Sequence, residues 1–450
     1  MAKSPSALLT DLYQLNMMAA YLEHGLADTG VFELFVRKLP ARRGFLMAAG
    51  LEQALEFLET VSFTPEDINK IRGLGQFSES FLGYLRSFRF SGDVDAMPEG
   101  TVFFPDEPIF HVTAPLPEAQ FVETRLVNLL HFQTVIASKA ARMVLAAPGK
   151  PLIDYGLRRA HGAEAGLLAA RASYLAGFSG TATVAAGLEF GIPVYGTMAH
   201  SFIQARDDET LAFEHFAHSH PQSLVLLIDT YDTERAAREV VALAPRLAAH
   251  GITIAGVRID SGDLGEHARR VRRLLDEGGL RAVKIVASGG LDEAALLDLS
   301  RGNAPIDSYG VGTSLTTASD APALDCVYKL QEYAGTARRK RSEGKATWPG
   351  RKQVWRNYDE GGRLAGDIVS LANDRQQGEA LLRPVMRAGR RLSELPDLAA
   401  ARNHAKDQLA WLPTPLARLE SYHYQVEIGA RLRELALELD RRAGIDGNSV

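Results

Sequence analysis

Between residues 150 and 315, short apolar runs alternate with helix-forming stretches, and this alternation constrains the fold more than any other feature of the chain. The runs are LIDYG (152–156), PVYGT (193–197), LVLLID (224–229), AGVRID (255–260), VKIVAS (283–288) and DSYGVG (307–312). Between them lie 233–250, 264–278 and 291–300, whose apolar residues recur at helical spacing. Successive strand–helix units must cross over with one hand, so they build a parallel sheet or a barrel.

The flanks read differently. An opening helix carries Leu12, Leu15, Ala19 and Leu22 on one face, with Thr10 or Asp11 as cap and Gly25 as stop. VFELFVRKL (31–39) alternates like a strand, and 50–61 is an amphipathic helix. Residues 90–117, rich in Pro and Gly, read as a small β-rich unit. Residues 122–146 lack both Gly and Pro and read as one long helix. After 326, VYKLQEYAG reads as a strand, the basic run from Arg338 to Lys352 as a solvated hairpin, and 416–444 as a helix or helix pair, with GNSV frayed at the end. The predicted division is 1–135 (completed by part of 325–450), 136–325 for the strand–helix domain, and 326–450.

Composition excludes several classes. The chain has 450 residues, 46% apolar and 23% charged, with a net charge of −5. That balance is globular and gives no general attraction to nucleic acid or acidic membranes, so neither is an expected partner. Cys326 is the only cysteine, which excludes a disulfide framework or a cysteine metal cluster. No run reaches the ~18 apolar residues of a membrane span, and Asp11, Gln14 and Asn16 interrupt the only signal-like stretch. The expected compartment is the cytoplasm.

The chemistry gathers where the apolar runs end. Those ends carry Arg158 and Arg159; Thr197, His200 and Ser201; Asp229 and Asp232; Arg258, Asp260, Ser261 and Asp263; Ser288, Gly289 and Gly290; and Gly310, Gly312, Thr313 and Ser314. In parallel α/β folds ligands meet the carboxyl ends of strands, because loops converge there. SGG and GVGTS on adjacent late units read as a phosphate cradle, although each alone would pass for a tight turn. Arg258 with Asp260 and Asp263 suits a ligand with an anionic part plus hydroxyls or a bound Mg²⁺; Asp263 or Ser261 also reads as a helix cap. His200, among Thr197 and Ser201, reads as a base or nucleophile. His215, His218 and His220 lack a carboxylate or thiolate at ligand spacing, so a polar helix end explains them better than a metal. Lys284 opens its strand, far from the Ser288 end, and reads as structural.

Taken in order, TDLYQLNM, FELFVRKLP, DYGLRRAHGAEAGLLAARASYLAGFSGT, GTMAHSF, DTYDT, GVRIDSGDL, IVASGGLDE, YGVGTSL and SEGKATWPGRKQV resemble the nicotinate phosphoribosyltransferase family. The resemblance runs to about residue 355. It implies an irregular parallel α/β barrel of the type II phosphoribosyltransferase kind with a second, smaller α+β domain, in a homodimer with active sites near the subunit interface. The implied reaction joins nicotinate to 5-phosphoribosyl 1-pyrophosphate, giving nicotinate mononucleotide and pyrophosphate. Mg²⁺ is the implied cofactor, and ATP a co-substrate hydrolysed through a phosphohistidine, in NAD biosynthesis.

By family position, Tyr13 stacks on the pyridine; Thr197 and Arg258 meet its carboxylate or the reacting sugar, and Arg158 the leaving-group or carboxylate side. Asp260 contacts ribose or Mg²⁺. Gly289, Gly290, Gly312 and Thr313 cradle the 5-phosphate beside Ser288. His200 matches the phosphorylated histidine, with Asp229 to orient it. Asp154 matches a position where related nicotinamide enzymes accept the amide N–H, which keeps nicotinamide as the rival substrate; Arg159 followed by Ala-His-Gly looks like the nicotinate branch. Two further rivals are a non-catalytic nucleotide-binding barrel that regulates a partner, and an oxidoreductase barrel of the inosinate dehydrogenase kind, which needs a catalytic cysteine near GVGT.

Overall fold

A computed structural model describes residues 7–342, 344–392 and 395–444. The chain forms two compact units, one from 1–138 with 323–450 and the other from 139–322.

The 139–322 unit is built on a six-stranded sheet whose strands are all parallel. Across the sheet they run Gly180–Thr181, Leu152–Asp154, Ser308–Val311, Lys284–Ser288, Ile254–Ile259 and Leu224–Leu227. Leu226, Leu227, Val257, Ile259, Ile285 and Val311 are fully buried, as expected of strands covered on both faces. The sheet curls into a half-barrel of the type II phosphoribosyltransferase kind. Three aspartates start the helices that follow its strands. Asp232, Asp263 and Asp292 each accept a backbone N–H, from Arg235 (2.7 Å), Glu266 (2.9 Å) and Ala295 (2.9 Å). These caps open the helices Thr233–Ala248, Leu264–Glu277 and Glu293–Arg301.

One expected strand is absent. PVYGT contributes only a single bridge, Thr181 to Val194, flanked by backbone hydrogen bonds from Thr181 to Pro193 and from Tyr195 to Thr181, and Val194 and Tyr195 are exposed. The outer strand is instead Gly180–Thr181, where a Cβ on Gly180 would lie 2.4 Å from the Pro193 carbonyl oxygen.

The other unit carries a seven-stranded antiparallel sheet in which Thr29–Val36 pairs with Cys326–Tyr333 on one side and Phe110–Pro115 on the other. Thr29–Val36 is buried on both faces rather than alternating. Its buried Glu33 pairs with Lys352 at 2.6 Å and lies 2.8 Å from His111 Nε2. The opening helix is Leu12–Glu23, but its buried face is Gln14, Leu15 and Met18, and Leu12 is exposed. Asp11 starts the helix without capping it, since its carboxylate accepts from Thr124 Oγ1 at 2.9 Å.

The C-terminal part departs most from expectation. Lys352–Tyr358, Leu364–Leu371, Glu379–Ala380 and Val426–Ile428 form a four-stranded sheet. The stretch expected to be a helix pair therefore contains a strand before its helix Ala430–Arg442. The basic run is not a solvated hairpin: Arg339 and Arg341 both pair with buried Asp440 of that helix, at 2.9 and 3.3 Å. The GNSV segment lies outside the described residues.

Candidate active site

Arg258 organises the carboxyl edge of the parallel sheet. Its Nε donates to Ser288 Oγ (3.0 Å), Nη1 to Thr197 Oγ1 (2.9 Å) and the Met198 carbonyl (3.4 Å), and Nη2 to Asp260 Oδ1 (3.1 Å). Tyr155 lies beneath the guanidinium, 5.6 Å from its ring centroid. The ring fits there because residue 310 is glycine; a Cβ would come within 2.3 Å of it. Ser288 Oγ in turn donates a hydrogen bond to Asp260 Oδ1. Three strand ends and the 197–198 segment are thus locked into one cluster.

Asp260 and Asp229 sit side by side. Asp229 Oδ2 accepts from the Asp260 N–H (2.9 Å) and the Ser261 hydroxyl (2.6 Å), while its buried Oδ1 has no hydrogen-bond partner. Asp260 Oδ2 faces His200 Nε2 at 3.9 Å. The other imidazole nitrogen, Nδ1, meets Thr230 Oγ1 at 3.2 Å. Asp229 was expected to orient His200; the imidazole's hydrogen-bond partner is the adjacent Thr230, while Asp229 Oδ2 is engaged by residues 260 and 261. His200 opens the short helix His200–Gln204 and is about one-third exposed.

The glycine turns flank this cluster. Gly289 has φ +95°, and any side chain there would strike the Asp260 carbonyl oxygen. Gly290 also has positive φ, with open space where a Cβ would be. On the adjacent strand, Gly312 precedes the turn Thr313–Thr316, and Ser314 Oγ donates to the Leu291 carbonyl across the two loops. Arg158 and Arg159 lie exposed in the turn Leu157–Arg159.

Asp263, a candidate Mg²⁺ ligand, also caps the helix Leu264–Glu277, with Oδ1 accepting from the Glu266 N–H at 2.9 Å. Asp154 is buried, with Oδ1 accepting from the Gly156 N–H and Oδ2 from Thr181 Oγ1, both at 2.8 Å, and burial pushes its pKa up. It braces the loop that follows its strand and is 1% exposed. In the histidine run, His215 accepts from Arg206 (3.3 Å) and His220 stacks on Phe216; no cluster of three or more metal-ligating side chains occurs among the described residues. Cys326 belongs to the other unit, and burial pushes its thiol up to about 12, which removes the nucleophile a dehydrogenase barrel requires. Lys284 pairs with Asp307 at 3.2 Å, as a strand-start residue should. Tyr13, also in the other unit, is half exposed beside a recess of about 300 Å³ lined by Asp11, Glu123 and Lys329. Sequence reasoning passed over Tyr155, Thr230 and Thr181, although each adjoins or lies within a motif it had singled out.

Comparison with known proteins decides the family. Three models match in order: the nicotinate phosphoribosyltransferase N-terminal domain over 8–131, the nicotinate phosphoribosyltransferase family over 151–347, and the C-terminal domain over 374–436. Nicotinate phosphoribosyltransferase pncB2 of Mycobacterium tuberculosis is 49% identical over 429 residues, 95% of this chain and 92% of the relative. The chain belongs to the nicotinate phosphoribosyltransferase family. A crystal structure of human nicotinic acid phosphoribosyltransferase superposes with a TM-score of 0.86 at 30% identity, covering 96% of this chain and 99% of that one. The nicotinate-nucleotide pyrophosphorylase of Pyrococcus furiosus follows at 0.74 and 25% identity, over 90% and 95%. As a member of this family of enzymes, the chain is itself an enzyme. Among its described residues no helix is long and apolar enough to cross a membrane.

Proposed function

We propose that the protein joins nicotinate to 5-phosphoribosyl 1-pyrophosphate, forming nicotinate mononucleotide and pyrophosphate, with ATP hydrolysis coupled through His200. The observation that carries this reading is the Arg258 cluster, with Asp260 and His200 facing each other beside two glycine turns on adjacent strands. Breaking the ribose–pyrophosphate bond develops positive charge at the anomeric carbon and negative charge on the leaving group, so the site needs a fixed anion and fixed cations. Asp260, oriented by Arg258 and Ser288, supplies the anion near the sugar. Arg158 and Arg159, at the exposed rim, supply cations for the leaving group or the nicotinate carboxylate. Gly289, Gly290, Gly312 and Thr313 leave backbone open to the 5-phosphate, and Thr197 bounds the pocket beside Arg258. Tyr13 provides an aromatic face for the pyridine.

The residues fit a Mg²⁺ ion held mainly by substrate oxygens, as this ion is usually bound with one or two protein carboxylates. Asp260 Oδ2 and the unpartnered Asp229 Oδ1 would hold it, and the ion would neutralise charge on the pyrophosphate. In the ATP step, His200 Nδ1–H donating to Thr230 leaves the Nε2 lone pair to attack the γ-phosphorus, forming the N–P bond as the bond to ADP breaks. Nicotinamide is disfavoured because both Asp154 oxygens are already engaged. A homodimer in the cytoplasm completes the reading.

One assay tests it. The protein is incubated with phosphoribosyl pyrophosphate and Mg²⁺, with nicotinate or nicotinamide, with and without ATP. Nicotinate mononucleotide formed from the acid and stimulated by ATP is expected. Preferential formation of the nicotinamide product overturns the substrate assignment, and no stimulation by ATP overturns the coupling.

A further inference from the structure

The phosphate seat just described is made of backbone, so its shape depends on whatever holds two separate loops in register. Gly289 and Gly290 leave the strand Lys284–Ser288, and Gly312 and Thr313 leave its neighbour Ser308–Val311. Near the seat the Ser314 hydroxyl joins the loops through the Leu291 carbonyl. Further along, Glu293 opens the helix Glu293–Arg301 on one side, and Asp320 follows the turn Thr313–Thr316 on the other. Lys139 reaches both. Its Nζ lies 2.5 Å from Glu293 Oε2 and 2.7 Å from Asp320 Oδ1, and the side chain is buried. Lys139 and Arg142 lie on the helix Glu123–Ala146, and Arg142 puts Nε 3.4 Å from Glu293 Oε1.

Stability alone does not account for this arrangement. Burying the ammonium of Lys139 and the carboxylate of Glu293 costs desolvation, with Asp320 nearer the surface, and apolar side chains of similar volume often serve stability as well or better. With Arg142 beside Glu293 the charges balance two against two. Lys139 itself joins carboxylates from the two loops that form the seat, and so fixes the distance between those loops. None of the three side chains belongs to the seat itself.

We propose that Lys139 is a positioning residue for the phosphate seat, acting through Glu293 and Asp320 to hold the two glycine turns at the spacing a phosphate monoester requires. This rests on the reading that the seat takes the 5-phosphate. The bridge sets affinity for the phosphorylated substrate and leaves the pyridine untouched. Misplacing such a seat by a fraction of an ångström loosens binding by roughly tenfold or more.

The test uses the full chain and three variants. Asp320→Asn cuts the bridge to the second loop. Lys139→Met/Asp320→Asn removes one charge of each sign and leaves Glu293 to Arg142, so no carboxylate is stranded. Gly290→Ala adds a methyl group within the seat, where the surrounding space is open. The readouts are the thermal midpoint, the affinity for ribose 5-phosphate by calorimetry, and the separate KM values for phosphoribosyl pyrophosphate and nicotinate. Both bridge variants should weaken ribose 5-phosphate binding and raise the KM for phosphoribosyl pyrophosphate by about tenfold, with the nicotinate KM within about twofold. Gly290→Ala should do the same.

If Gly290→Ala weakens both phosphate readouts and the bridge variants do not, the inference falls and the seat stands. If Gly290→Ala changes neither, the seat reading falls and the inference with it. Bridge variants that lower the thermal midpoint and shift both KM values equally make Lys139 a stabilising residue only, and overturn the proposal.

Discussion

Arg258 directs three of its nitrogens at Ser288, Thr197, Met198 and Asp260, so it works as a rigid frame before any ligand arrives. Truncating it to Arg258→Ala frees Asp260, Ser288 and Thr197 together. The loss of transition-state stabilisation should be about 2–4 kcal/mol, the scale of a preorganised polar contact, with the circular dichroism spectrum unchanged. Near-wild-type kcat/KM in that variant would remove Arg258 from the site. His200 makes a separable contribution. His200→Asn should lose ATPase activity and the ATP stimulation of synthesis, yet retain slow ATP-independent synthesis, since the frame does not pass through it. Equal acid-labile label from radioactive ATP on variant and wild type would assign the phosphoryl acceptor elsewhere. A third residue governs stability instead. Glu209 is buried, with its pKa raised to about 7 by burial first and by nearby Glu239, against the pull of Arg235. The folded state therefore holds a proton that the unfolded state releases, and stability is lost as pH rises from about 4.5 to about 7. Glu209→Gln should be more stable than wild type at pH 8, by at most about 3 kcal/mol, with the gain shrinking toward pH 4.5. A gain of the same size at both pH values would show that ionisation is not the cause.

At the scale of elements, the helix caps separate structure from chemistry. Asp263 starts Leu264–Glu277, so Asp263→Ala should cost about 1 kcal/mol, whereas Asp263→Asn, which can still cap, should keep both the thermal midpoint and the Mg²⁺ dependence of the wild type. A raised Mg²⁺ requirement in Asp263→Asn alone would assign it as a metal ligand. The same elements show what a sequence reveals. Strand ends such as VRIDSGD and IVASGG are legible because an apolar run stops abruptly at polar residues. Gly180–Thr181 is not, because two residues without an apolar run become a strand only by lying against Leu152–Asp154. The C-terminal sheet was hidden for the opposite reason. Arg356 and Asp367 fill its core as a fully buried ion pair, so its strands read as surface. Within the site, Arg258, Asp260 and His200 announce themselves by residue type, while Thr230 and Tyr155 matter only through where the fold puts them.

At the scale of the whole molecule, the 139–322 unit leaves Val184, Leu188, Val194 and Tyr195 exposed around the helix Val184–Phe190, with Leu188 at 82%. Apolar patches of this kind mark protein contacts, and the proposed homodimer supplies one. Leu188→Glu should shift sedimentation from dimer toward monomer and lower activity in parallel; a wild-type protein that sediments as a monomer at micromolar concentration would end that proposal.

Glu33 meets the Lys352 backbone 319 residues further along the chain. A ribosome adding about 5–20 residues per second leaves that carboxylate waiting roughly 16–64 s for its ammonium partner. During this interval the edge of Thr29–Val36 that will take Cys326–Tyr333 is also unpaired, while the segment 139–322, already synthesised, is free to fold. The strand Thr29–Val36 is therefore open to aggregation during synthesis, and a chaperone that holds a growing polypeptide would find a binding site along that unpaired edge.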